Sequence, residues 1–298
     1  MKSGLLIIFL TFPFLLQAKD GTDTTGRRGK QVISAALITA YGAGMTGLYG
    51  LWYKDYPQSS FHMINDNGEW LQMDKTGHAV AAYSAGYLVY KSLRETGFRE
   101  KPAIWLGGGS AWIFLASVEV LDGFSSGWGF SSGDMIANTA GSALFIGQQL
   151  AWKEQRLVLK VSYHDNSLAT HRPELLGSRW YEQMIKNYNG MTFWLSGSPA
   201  FFLRDQNLLP AYAGLALGYG ACGMLGGRDN PQHIDGKPLP EYTRYRRFFI
   251  SPDIRFRQIK TRSKTLKVLF EVLDVFKFPL PALEYDSRGQ WHFHPLFF

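Results

Sequence analysis

Residues 103–118 read Ala-Ile-Trp-Leu-Gly-Gly-Gly-Ser-Ala-Trp-Ile-Phe-Leu-Ala-Ser-Val, an apolar stretch without a charge and interrupted only by small residues. Such a run fits a helix, and its glycines let a second helix backbone come close. Three more stretches share the character: Val32–Tyr53, Thr76–Tyr90 and Met135–Trp152. The first runs 22 residues without a charge, enough to cross a bilayer as a helix. The same composition suits a tight helical domain lying beside a membrane.

Composition narrows the classes. With 46% hydrophobic, 15% aromatic and 18% charged residues, the chain is too apolar for disorder. The net charge of +7 suggests a polyanion partner, but the excess is local. From Glu241 to Lys267 there are nine Lys or Arg and two acidic residues, 9 − 2 = +7, so the rest balances to zero. The single Cys222 excludes an internal disulfide framework and a cysteine zinc site.

Lys2, the apolar run Leu5–Leu16 and the small Ala18 before Lys19-Asp20 have the layout of a secretory signal over residues 1–18. With no Cys beside the cleavage point, an N-terminal lipid anchor is not expected. Export removes nucleic acid from the expected partners. Residues 19–30 read as a Gly/Thr/Arg-rich linker.

Charges between the apolar helices alternate. Asp55, Asp66, Glu69 and Asp74 occupy the first connection, and Glu119, Asp122 and Asp134 the third. Lys91, Arg94, Arg99 and Lys101 dominate the second, while Lys153, Arg156 and Lys160 follow the fourth helix. Antiparallel helices therefore gather the acidic connections at one end. A cleaved signal followed at once by a span would put the basic second connection outside, against the positive-inside tendency. The alternation thus supports antiparallel neighbours rather than four spans.

That acidic end carries the candidate chemistry. Asp74 and His78 stand four apart on one helix face, the spacing at which a carboxylate orients an imidazole as general base. Glu119 and Asp134 are the other candidate catalytic groups. Lys75, Asp122, Ser131 and Asn138 are candidate substrate-binding residues. Each also has a structural reading: Ser131 and Asp134 suit a helix start, and Asn138 with Gly141 suits helix contact. The oxygen-rich set admits a divalent metal but has no specific ligand spacing, and no cofactor is named by the sequence. Cys222 lacks a basic neighbour and reads as a packing residue, and His292 with His294 is one alternating pair only.

The ordered set Asp74-Lys75-x-x-His78, Glu119-x-x-Asp122, Gly127-Trp128, Ser131, Asp134 and Asn138-x-x-Gly141 resembles the YfiM-like family of predicted periplasmic lipoproteins of unknown function. More distantly it is similar to the VanZ-like membrane proteins. The resemblance spans about Leu71–Trp152 and implies a small helical envelope module, without implying an activity.

Beyond it, Pro173–Tyr188 reads as an amphipathic helix and Tyr245–Ile259 as a strand. Ser263 caps a helix to Lys277 with Leu266, Leu269 and Leu273 on one face and Lys264 and Lys267 opposite. Trp291–Phe298 is an aromatic strand, and its terminal Phe is one that outer-membrane barrels often carry; too few alternating strands are visible for a whole-chain barrel.

The expected fold is mainly α: a Gly/Ala-rich antiparallel helical bundle over residues 31–155 and a smaller mixed α/β region over 156–298. The expected function is an exported, membrane-associated envelope module of unestablished activity. Its basic strip and amphipathic helix would meet anionic lipid or lipopolysaccharide, with an envelope protein as another partner. The alternative is a hydrolase or transferase acting on a lipid or cell-wall substrate through the Asp/His/Glu set.

Overall fold

The computed structural model describes residues 27–54, 56–201, 203, 209–234 and 236–297. The expected signal sequence, most of the linker, Asp55 and Phe298 lie outside the described residues. Among the described residues helices take 48% and strands 23%, so the mainly α expectation is corrected to a mixed fold of helices and antiparallel sheet. The chain divides into two compact units: one holds the described residues up to Asn67 with His78–Gln155, the other Gly68–Gly77 with Arg156 onward.

The helical unit begins with α1 (Arg27–Leu48), whose first turn replaces the end of the expected linker, and continues in a π turn at Tyr49–Tyr53. Helix α2 (Met73–Glu95) enters the unit at His78; α3 (Glu100–Gly123) and α4 (Ser132–Trp152) complete it. Strand β1 (Met63–Ile64) pairs in parallel with β2 (Phe130–Ser131). Small residues set the helix contacts. A Cβ at Gly107 would lie 2.7 Å from the Gly86 carbonyl oxygen, and one at Gly141 would lie 2.1 Å from that of Ala79. Backbones that near admit no side chain between them.

In the sheet unit, β3 (Leu157–Tyr163), β4 (Met191–Gly197), β5 (Ala213–Cys222), β8 (Tyr245–Ile254), β9 (Leu280–Asp286) and β10 (Trp291–Phe297) form one antiparallel sheet in the order β10-β9-β8-β5-β4-β3. Strands β6 (His233–Ile234) and β7 (Lys237–Pro238) make a separate hairpin. The helix expected over Pro173–Tyr188 is two pieces, α5 (Pro173–Leu176) and α6 (Trp180–Lys186). Gly177 breaks it at φ +100°, where a Cβ would lie 2.6 Å from the Gln183 nitrogen. Strand β8 stops at Ile254, five residues short of the expected end, and a 3-10 turn over Phe256–Gln258 follows. Helix α7 (Lys264–Leu273) is capped by Ser263 as expected but ends before Lys277, because Asp274 turns inward to basic partners.

The basic strip also divides. Arg247 pairs with Glu284 at 2.7 Å, and Arg257 with Asp274 at 2.6 Å, both inside the unit. Burial pushes the Glu284 carboxyl up, but the Arg247 bonds outweigh it and hold the group below the usual carboxylate range. Lys160, expected in a basic connection, is fully buried between Asp253 (2.7 Å) and Asp274 (3.0 Å). Lys260, Arg262, Lys264 and Lys267 remain exposed.

Candidate functional site

The site in the helical unit forms where α3 ends and α4 begins. Ser131 caps α4: its Oγ accepts the Asp134 N–H at 3.1 Å and donates to Asp66 Oδ1 at 2.5 Å. The Ser131 N–H donates to Glu119 Oε2 at 3.2 Å. One capping serine thus links three carboxylate residues, and Asp134 also sits at the positive end of the α4 dipole. Asp122, one turn after Glu119, accepts the Tyr53 hydroxyl at 2.7 Å.

His78 faces this set. Its Nδ1 lies 3.0 Å from Asn138 Oδ1, and its Nε2 lies 3.8 Å from Glu119 Oε1. A ring nitrogen also lies within 4.8 Å of an Asp134 carboxylate oxygen. If Asn138 accepts from Nδ1–H, a neutral ring presents its Nε2 lone pair to the Glu119 carboxylate.

Burial makes the charge count consequential. Glu119, Asp134, Asn138 and Ser131 are fully buried, and Asp66, His78 and Asp122 nearly so. Several carboxylates out of water require donors, protonation or a positive partner. Asp74 and Lys75 occupy the first turn of α2 within the other unit. There the Asp74 carboxylate accepts from the Tyr188 hydroxyl at 2.5 Å and lies 3.4 Å from Lys75 Nζ. This turn follows Trp70, Leu71 and Gln72, all at positive φ. That costly conformation for L residues is held by the Trp70 N–H on the Gly227 carbonyl (2.7 Å) and the Tyr219 hydroxyl on the Leu71 carbonyl.

Of the residues singled out from sequence, His78, Glu119, Asp134, Asn138 and Ser131 stand together in the helical unit, with Asp122 a turn away on α3. Sequence reasoning placed Asp66 only in an acidic connection and did not find Tyr53 or Tyr188. Asp66 lies between Asn65 and Asn67, a context that signals a loop, and a tyrosine closing an apolar run carries no motif.

Replacing Asn138 with Leu keeps the bulk and removes the bond to His78 Nδ1. The expected cost is about 1–3 kcal/mol, the usual price of losing one buried hydrogen-bond partner, read as a lower midpoint in urea unfolding.

An apolar helical unit with a buried imidazole–carboxylate centre defines the class. Among known families, the model described as "Predicted periplasmic lipoprotein (DUF2279)" matches residues 63–147. The match takes in every site residue from Asp66 to Asn138 and covers under half of the chain. The protein is accordingly an exported one of the periplasm or cell envelope. No curated protein and no solved structure matches.

Proposed function

We propose that the protein is a membrane-associated envelope module whose helical unit presents an apolar exterior to lipid and keeps its ionisable groups inside. The observation that carries this reading is the orientation of α3. Trp105, Leu106, Ile113 and Val120 are exposed and fall within about 100° of one another around the helix. Glu119 and Asp122, on the same helix, are buried. In water the opposite orientation is favoured; in lipid, ionisable side chains face the interior. At 24 residues, α3 is about 36 Å long, enough for the ~30 Å hydrocarbon layer. Exposed Ile38 on α1 and Ile136 on α4 extend the apolar surface. Helix α7 supports the reading from the sheet unit: none of its residues is buried, Leu266 and Leu269 are exposed, and Lys264 and Lys267 flank them.

Ile113→Glu tests it. At a water-facing position 56% exposed, the change costs within about 0.5 kcal/mol. At a lipid-facing position a central acid costs about 2.5–3.5 kcal/mol. The expected result is loss of the protein from carbonate-washed membranes, with retention by a parallel Ile113→Leu variant. Wild-type protein released by carbonate would remove the reading.

A second reading, an envelope hydrolase or transferase, is favoured by the His78–Asn138–Glu119 line with Asp134 close by. In it His78 acts as base, Asn138 orients the ring, and Glu119 and Asp134 act as acids or metal ligands. Metal-dependent protection against thermal unfolding, lost in Asp134→Asn, would support it; identical melting with chelator and with added zinc, manganese or calcium would end its metal form.

A further inference from the structure

The six-stranded sheet is built with its polar side inward. Along β8, Arg247, Phe249, Ser251 and Asp253 are buried while Phe248, Ile250 and Pro252 are exposed. Along β9, Ala282, Glu284 and Asp286 are buried while Leu283 and Tyr285 are exposed. A water-facing antiparallel sheet shows the reverse alternation. A one-residue slip would correct it, but the Arg247–Glu284 and Lys160–Asp253 pairs, each 2.7 Å, lock the present register from within.

The register lines the outward residues into two rows. Leu159, Leu195, Leu217, Ile250, Leu283 and Phe293 are successive cross-strand partners over all six strands, an almost wholly aliphatic row. Two residues along, Val161, Phe193, Tyr219, Phe248, Tyr285 and Trp291 form a mostly aromatic row. From β5 to β10 these rows reach the surface except at Tyr219, which is half-buried with its hydroxyl on the Leu71 carbonyl; Leu217 is 56%, Trp291 65% and Phe293 68% exposed. At roughly 100 Å² for each exposed side chain, the patch exceeds the few hundred Å² a soluble monomer ordinarily shows.

Charge selects the occupant. The outward positions of β5, β8, β9 and β10 hold no carboxylate, and their one ionisable cation is Arg246, at the start of β8, whose guanidinium donates to Gln72 Oε1. After β8 the chain supplies exposed Lys260, Arg262, Lys264 and Lys267, with no acidic residue from Ile254 to Phe270. The apolar band, with tyrosine and tryptophan rings among its residues, is thus followed in the chain by a run of exposed cations. That chemistry matches acyl chains under an anionic headgroup layer.

The sheet edges set the depth. The β3 edge is covered by the 275–277 segment, through the Val161 N–H on Val275 and the Lys277 N–H on Val161, but β10 ends the strand order. A sheet crossing hydrocarbon with an open edge would strand backbone polar groups. Lying flat on one leaflet, about 5–10 Å into the headgroup boundary, keeps that edge within reach of water.

We propose that the outward face of this sheet is a lipid-docking surface that lies flat on one leaflet of an anionic membrane. The proposal rests on the membrane association argued above and adds a second contact, through the sheet unit. The test uses the full chain with Cys222→Ser, reconstituted into phosphatidylglycerol/phosphatidylcholine vesicles and carrying an environment-sensitive fluorophore at Leu283→Cys or, as control, at exposed Lys237→Cys. Circular dichroism checks that both variants fold. At Leu283 the expected result is a blue shift and several-fold stronger quenching by headgroup-proximal spin-labelled lipid than by aqueous iodide, reduced in pure phosphatidylcholine; Lys237 shows the reverse preference.

Vesicle-bound protein whose Leu283 probe responds only to iodide overturns the proposal and leaves the helical-unit reading standing. Protein that does not float with vesicles overturns both. A Leu283 shift that needs no lipid and follows protein concentration identifies a protein interface instead, and also overturns the proposal.

Discussion

Gly141→Ala is expected to destabilise the protein by on the order of 3 kcal/mol or to prevent its accumulation, although in most exposed helices the change is favourable. A Cβ at Gly141 would lie 2.1 Å from the Ala79 carbonyl oxygen, 2.9 Å from its carbon and 3.0 Å from its Cα. All three are backbone atoms, so no rotamer relieves the clash and α2 must move away from α4. That movement reaches the site directly. His78 precedes Ala79, and Asn138 lies one turn before Gly141, so separating the helices stretches the 3.0 Å contact between His78 and Asn138. The internal comparison is Gly147→Ala on the same helix, where nothing lies within 4 Å of the new methyl. There the variant should gain about 0.4–1 kcal/mol through lower unfolded-state entropy and better helix propensity. Urea midpoints moving in opposite directions for the two variants would verify the close approach. Equal midpoints would show that α2 and α4 are not in backbone contact.

The contrast between these glycines shows which parts of the structure are legible in the sequence. Uncharged stretches rich in small residues mark α1 to α4 because a helix needs only local periodicity and composition. The alternation of acidic and basic connections brings His78, Glu119, Asp134 and Asn138 to one end without knowledge of any distance. The sheet is harder to read. Strand β5 carries Gly214, Gly218 and Gly220, which lower strand propensity and remove the side chains that mark alternation. Their purpose lies across the sheet: a Cβ at Gly218 would lie 2.7 Å from the Trp194 ring. Strand β9 alternates clearly, but with charges on the buried side, so the usual rule assigns its faces backwards. The basic strip, and Lys160 before it, mislead in a similar way. Lys160, Arg247, Arg255 and Arg257 look like surface cations because their partners, Asp253, Glu284 and Asp274, lie outside the local sequence around each. Long-range pairing of this kind has no local signal.

Lys160 gives the second large effect. Its ammonium is the shared partner of Asp253 at 2.7 Å and Asp274 at 3.0 Å, and it also donates to the Ile254 carbonyl at 2.8 Å. Lys160→Met preserves much of the stem and removes the charge, leaving two buried carboxylates short of a partner; the expected cost is about 3–5 kcal/mol. Adding Asp253→Asn and Asp274→Asn should recover much of it, because a buried network with all its charges removed no longer carries the desolvation penalty of unpaired ions. Lys277 gives the single variant a pH dependence. Burial pushes this second ammonium down, Asp253 pulls it up and Lys160 pushes it down, to about 8 in the intact protein. Without Lys160 its folded value rises from there, so at neutral pH Lys277 stays charged and offsets part of the loss at Asp253. As pH climbs through that folded value the proton leaves and the offset disappears. The gap in unfolding midpoint between Lys160→Met and wild type should therefore widen above pH 8. A gap that narrows over the same range would show that Lys277 does not share the carboxylate site.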